Sequence, residues 1–258
     1  MKNTAREKML RGEKTLGTFL ELGAATSAEC LGLAGLDYLI IDTEHGPFEP
    51  ESALEFVRAA RLYNITPFAR VKEISRPAVL KLLDVGAQGL IIPNVNSVEE
   101  AEKIVEYGKY MPLGKRGVAN SAGSGFWFED YASQGLPHYF EVSNRESMLI
   151  PQCETLGCLE HVEEILAVDG IDGIFVGPFD LSTAMGIPGQ FERPEFKEAL
   201  RHVQQACAAA GKPSILYAGT EAAAREGYEL GYGSVTYGMD AVMLVNAYRA
   251  ARERIQGE

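Results

Sequence analysis

Eight times along the chain a short apolar run gives way to a longer amphipathic one, at a repeat of roughly 25–35 residues. The apolar runs fall at residues 16–22, 37–42, 66–71, 89–95, 148–155, 173–182, 213–218 and 234–237. They are near-continuous stretches of Ile, Leu, Val and Phe, the pattern of strands buried on both faces in a parallel sheet. The stretches between them carry helical spacing, at 26–34, 51–62, 76–85, 97–107, 156–169, 194–210, 221–231 and 240–254. Eight βα units in a chain of 258 residues predict a (β/α)8 TIM barrel, with 1–258 as one domain and no Pro- or Ser-rich linker dividing it. The runner-up is an open doubly wound sheet. It calls for a Gly-rich dinucleotide turn after the first strand, and Glu21-Leu22-Gly23-Ala24-Ala25 is not one. Residues 4–13 read as a short polar helix able to plug one end of the barrel. The stretch 111–144 reads as a long irregular loop holding Lys115-Arg116-Gly117 and the aromatics Phe126, Trp127 and Phe128.

A net charge of −12 disfavours nucleic acid and anionic membranes as partners. No apolar run reaches the length of a membrane span, and residues 1–13 lack a hydrophobic signal core. The four cysteines have no close metal-ligand spacing, so a reduced, cytoplasmic setting is expected.

In an α/β barrel the chemistry collects where the strands end. Two runs, 148–155 and 173–182, each finish on an acid, Glu154 and Asp180. Joined by one predicted crossover helix, they place both carboxylates on the same rim. Such a pair repels unless a proton or a cation lies between them, and hard oxygen donors suit Mg²⁺ or Mn²⁺. The plain alternative is that each acid only caps the next helix. The same rim collects Asp42, Glu44, His45, Arg70, Asn94 and Gln152. Alternation along the strand puts Gln152 and Glu154 on one face and Cys153 on the other. His45 is either a capping histidine or a general base oriented by Asp42 three residues earlier. Arg70 is either a structural ion-pair partner or the group that meets a developing enolate or a carboxylate. Glu44 and Asn94 read as structural.

The ordered set Asp42-Thr43-Glu44-His45-Gly46, Phe68-Ala69-Arg70-Val71, Gly89-Leu90-Ile91-Ile92-Pro93, Lys115-Arg116-Gly117-Val118, Gln152-Cys153-Glu154-Thr155 and Gly177-Pro178-Phe179-Asp180-Leu181-Ser182 resembles the HpcH/HpaI family of class II 2-keto-acid aldolases, over roughly residues 15–245. The resemblance implies Mg²⁺, Mn²⁺ or Co²⁺ on Glu154 and Asp180, chelated by a 2-keto acid. It implies His45, paired with Asp42, in acid–base work and Arg70 at the keto oxygen. Gln152 would lie beside the metal and keto acid. The turn Gly177, Pro178, Phe179, Asp180 would offer main-chain N–H groups to the substrate carboxylate. The expected reaction is reversible aldol cleavage of a 4-hydroxy-2-keto acid to pyruvate, or a related 2-keto acid, and an aldehyde. The family forms homo-oligomers, commonly hexamers, with the C-terminal helix on a neighbour; residues 240–248 are apolar enough for that part and equally for burial on their own barrel. Phe179 stands where many relatives carry a small residue, Gly238 stands where they often carry Ser, and residues 118–124 contain no cation. Other readings are a related metal-dependent lyase, decarboxylase or mutase, a non-catalytic metabolite-binding barrel, and a Schiff-base aldolase using Lys72.

Overall fold

Parallel strands sandwiched between a barrel interior and a helix layer must be apolar on both sides. The eight strands obey this: β1 (Thr15–Leu20), β2 (Tyr38–Asp42), β3 (Thr66–Arg70), β4 (Gly89–Ile92), β5 (Met148–Cys153), β6 (Ile174–Val176), β7 (Ser214–Ala218) and β8 (Ser234–Met239). Every residue of β2, β3, β4, β5 and β6 is buried. The computed structural model describes residues 1–257. In it the strands pair in chain order, all parallel, and β8 closes on β1. The predicted TIM barrel is therefore observed.

Side-chain alternation splits the core in two. Phe19, Ile40, Phe68, Ile150 and Phe175 fill the barrel, while Leu20, Ile41, Leu90, Cys153 and Val176 face the helices. Tyr38 stacks on Phe68 at 5.1 Å between ring centroids. The stack fits because β1 offers Gly17 opposite it, where a Cβ would come 2.2 Å from the Tyr38 ring. Helix Thr4–Leu10 closes the lower end as expected, contributing Ala5 and Met9 to the interior cluster. Asn3 anchors it, donating from its backbone to Glu146 and from its amide to the Gln88 and Glu146 carbonyls, each at 2.9 Å.

Two stretches differ from the sequence reading. Residues 111–144 are more ordered than a loop. They hold a 3-10 turn at Ala122–Trp127, a helix at Asp130–Ser133 and the start of a longer helix, Leu136–Glu146. That longer helix buries Tyr139, Val142, Ser143 and Glu146. The spacing is helical, but two of the four are polar, so apolar periodicity conceals it. The crossover at 156–169 is two short helices, Leu156–Glu160 and Val162–Ala167, separated by His161 at φ −115° and ψ 22°. Arg116 of the Lys115-Arg116-Gly117 segment does not reach the rim. It pairs with Asp84 at 2.9 Å and lies over the Tyr110 ring at 4.7 Å.

The C-terminal helix Asp240–Gln256 buries only Asp240, and Val242, Leu244, Val245 and Tyr248 are exposed. Of its two expected docking surfaces, its own barrel and a neighbour's, it is not buried in the first. No helix among the described residues is long and apolar enough to cross a membrane.

Candidate active site

The β2 and β3 ends are hydrogen-bonded in register, with Asp42 opposite Arg70. Arg70 Nε donates to Asp42 Oδ1 at 2.9 Å, and Nη2 donates to Oδ2 to complete a two-pronged pair. Nη1 lies 3.2 Å from Glu44 Oε2. The guanidinium sits over the Phe19 ring, 4.8 Å from its centroid, and is 6% exposed. Burial opposes the Asp42 charge, but the hydrogen bonds and charge of Arg70 outweigh it and hold the carboxyl below its ordinary value. Burial likewise opposes the Arg70 charge, and Asp42 and Glu44 keep the guanidinium charged.

One expectation is corrected here. Asp42 does not hold the His45 imidazole. It accepts the backbone N–H groups of Glu44 at 3.1 Å and His45 at 3.3 Å, and both of its oxygens are engaged by Arg70. The turn that follows Asp42 therefore fixes where His45 begins, while the His45 side chain is exposed.

Across the barrel mouth, Gln152 and Glu154 share a face as alternation requires, and Cys153 joins the outer core. Gln152 Nε2 donates to Glu154 Oε2, and the Asn94 backbone N–H donates to Glu154 Oε1 at 2.7 Å. Asn94 adopts φ +55°, a conformation that asparagine tolerates better than most residues. Read from sequence as structural, it aims a backbone donor at Glu154. Asp180 is exposed in the first turn of helix Pro178–Ala184. Burial raises the Glu154 pKa; the Asn94 and Gln152 bonds oppose this, and the charges of Asp180 and Glu44 add to it. Glu44 is raised by burial too, with Arg70 and His45 opposing and Asp42 and Asp180 adding. Glu154, Glu44 and Asp180 thus feel one another across the mouth. Phe179 leans aside, edge-on to Phe191 at 5.2 Å and against Tyr217 at 6.1 Å. It walls an apolar groove of about 430 Å³ between helices Pro194–Ala209 and Glu221–Glu229.

Sequence reasoning passed over Glu21. It follows β1, and its carboxyl reaches the Asp42 carboxylate. Reading the first strand through Leu22 made Glu21 a mid-strand residue, and only the strand's end at Leu20 places it on the rim.

Residues 15–247 match the HpcH/HpaI aldolase/citrate lyase family. The chain belongs to this family. A 4-hydroxy-2-oxo-heptane-1,7-dioate aldolase of Salmonella paratyphi A is 36% identical over 260 residues, covering 100% of this chain and 96% of the relative. An HpcH/HpaI aldolase/citrate lyase family protein from Burkholderia cenocepacia superposes with a TM-score of 0.90 at 30% identity, covering 98% of this chain and 99% of the other. An HpcH/HpaI aldolase from Desulfitobacterium hafniense gives 0.88 at 30% identity, covering 97% and 96%.

The donors of this HpcH/HpaI chain suit a divalent cation. Gln152 Oε1 is buried without a hydrogen-bond partner beside Glu154. A Cβ at Gly177 would come 2.8 Å from Gln152 Nε2 and 2.9 Å from Glu154 Oε2, so only glycine leaves this wall of the carboxylate clear. No group of three or more His, Cys, Asp or Glu side chains among the described residues is gathered to hold a metal unaided. Two carboxylates, with other positions left to substrate and water, would suit a hard divalent cation that retains part of its water shell.

Proposed function

We propose that this chain is a class II aldolase, a carbon–carbon lyase that cleaves a 4-hydroxy-2-keto acid reversibly into pyruvate, or a related 2-keto acid, and an aldehyde. The observation that carries this reading is the buried Glu154, its pKa raised by burial and by the charge of Asp180, facing a mouth whose other side presents Arg70. In this reading Glu154 and Asp180 hold Mg²⁺, Mn²⁺ or Co²⁺. When bound, the cation supplies Lewis acidity to the keto oxygen.

The remaining work falls to the chain's own groups. Arg70, gripped by Asp42 and backed by Phe19, meets the keto oxygen as negative charge grows there, and its fixed position spares reorganisation at that moment. His45, exposed at the mouth, takes the 4-hydroxyl proton, directly or through water, as the C–C bond breaks. Gln152 holds Glu154 in place. Main-chain N–H groups of Phe179 and Asp180 bind the substrate carboxylate, with Pro178 fixing the turn, while the Gly177 N–H is given to the Cys153 carbonyl at 3.3 Å and Gly177 serves by leaving the wall clear.

Association into a homo-oligomer, a hexamer in the family's pattern, belongs to the same reading. The uncovered apolar residues of helix Asp240–Gln256 and the groove beside Phe179 support it. A cytoplasmic setting is supported by four unbridged cysteines, three of them buried. The test is pyruvate release from several 4-hydroxy-2-keto acids, with Mg²⁺, Mn²⁺ and Co²⁺ compared after chelator treatment. Metal-restored release from at least one of them is expected; full turnover in chelator, or trapping of Lys72 by borohydride, would overturn the proposal.

A further inference from the structure

The Asp42–Arg70 pair has a third member. Glu21 leaves the end of β1 held in place from β8. Pairing of β1 with β8 slips between Gly17 and Phe19, where Gly17 lies opposite Thr236 and Phe19 opposite Met239. The extra β8 residue includes Gly238 at φ +59°, a bulge that re-aims the strand end. Asp240 then accepts the backbone N–H of Glu21 at 2.7 Å and that of Leu22 at 3.3 Å. So fixed, the Glu21 carboxyl stands within hydrogen-bonding reach of Asp42. Its Oε2 is near Gly46, 3.3 Å from where a Cβ would be. Its Oε1 is buried and has no hydrogen-bond donor.

Two carboxyl groups in hydrogen-bonding reach of each other have nothing to share unless one carries a proton. Asp42 is already committed to Arg70 as a charged acceptor, so the proton belongs on Glu21. We propose that Glu21 is a positioning residue: as a neutral carboxylic acid it donates its O–H to Asp42, and the bond sets the Asp42–Arg70 pair in the geometry that leaves Arg70 facing the substrate. Loss of that proton to solvent puts a second negative charge beside Asp42. The guanidinium is then drawn toward two anions and away from the keto oxygen. The charged groups facing Glu21 are Asp42 from β2, Arg70 from β3 and Asp240 after β8. Burial, the Asp42 bond and the Asp42 and Asp240 charges raise its pKa to about 7, with Arg70 opposing, which places the switch near neutrality. The consequence for turnover rests on the aldolase reading, whereas the proton itself does not.

The test compares wild type, Glu21→Gln and Glu21→Ala. The glutamine amide keeps a donor toward Asp42 but cannot ionise. Its kcat should match wild type on the acid side of pH 7, and the ratio of its kcat/KM to that of wild type should climb about tenfold on the alkaline side. Alanine removes the donor and should lower kcat about tenfold at all pH values, a loss that glutamine restores. Infrared difference spectra of wild type should show one protonated-carboxyl C=O band titrating near pH 7 that Glu21→Gln lacks. This band needs no turnover, so it tests the proton even if no keto acid is cleaved. A ratio that stays flat through pH 7, or a band that survives in Glu21→Gln, would overturn the proposal; should the alanine variant fail to fold, the glutamine variant and the band still decide.

Discussion

The two sides of the barrel mouth are built from the same kind of residue and solve opposite problems. On the β2–β3 side, Asp42 and Glu44 face a cation of the chain's own, Arg70, at 2.9 Å and 3.2 Å. On the β5–β6 side, Glu154 and Asp180 face no such cation. Glu154 has only amide donors, Gln152 and the Asn94 N–H. The electrostatic response differs most between Asp42 and Glu154: the Asp42 carboxyl is held below its ordinary value despite burial, and that of Glu154 is raised, while Glu44 is raised by burial even beside Arg70. A carboxylate that folding has made uncomfortable is one that a soluble cation can relieve. On the first side Arg70 neutralises Asp42 from within the chain; on the second, in the proposed reading, a divalent cation would do so for Glu154 and Asp180.

The hardest blow to this contrast is removal of the uncompensated side. Glu154→Ala or Asp180→Ala should abolish pyruvate release, about a thousandfold or more, while leaving the fold intact. Activity that persists in either variant would place the chemistry elsewhere. Arg70→Ala strikes the compensated side. It should lower kcat about a hundredfold and also destabilise the protein, by about 3 kcal/mol, because Asp42 is left buried and unpaired. If steady-state kinetics showed only a raised KM, Arg70 would be a ground-state binder. His45→Ala should slow aldol cleavage, again by about a hundredfold. Exchange of the pyruvate methyl protons, followed by NMR, should be spared; equal loss of both would widen the role of His45.

The smallest effects concern pH, and they sharpen the comparison because Asp42 and Glu154 should respond with opposite sign. The depressed Asp42 carboxyl contributes stability that is present above its ordinary value of 3.8 and lost as pH falls through the folded value. The raised Glu154 carboxyl contributes stability present below its ordinary 4.5 and lost as pH rises through the folded value. In metal-free buffer, the Tm difference between Glu154→Gln and wild type should therefore move in favour of the variant as pH rises above 4.5. Over the acid range the Tm deficit of Asp42→Asn should shrink as pH falls. Parallel trends in the two variants would erase the distinction.

Most of the fold was legible because strands buried on both faces leave an unbroken apolar signature, and Tyr38–Asp42 or Gly89–Ile92 can hardly be anything else. Helix Leu136–Glu146 was hidden because what it buries includes Ser143 and Glu146, whose partners lie far along the chain. The rim residues were legible from the rule that strand ends carry chemistry. Their pairing was not. His45 is near Asp42 in sequence, but sheet register sets Asp42 opposite Arg70, 28 positions away, and a bidentate pair leaves little for the imidazole. Glu21 was missed for a related reason: its environment is assembled from β2, β3 and the bulged end of β8, none of which is local in the chain.

The central claim is tested most directly by titrating Mn²⁺ into chelator-stripped protein with pyruvate present, using isothermal calorimetry. One saturable site per chain is expected in wild type and in Arg70→Ala, lost in Glu154→Ala and in Asp180→Ala. Binding that survives removal of both acids, or that vanishes only with Arg70, would contradict the division of the mouth into a side that Arg70 neutralises and a side proposed to hold the cation.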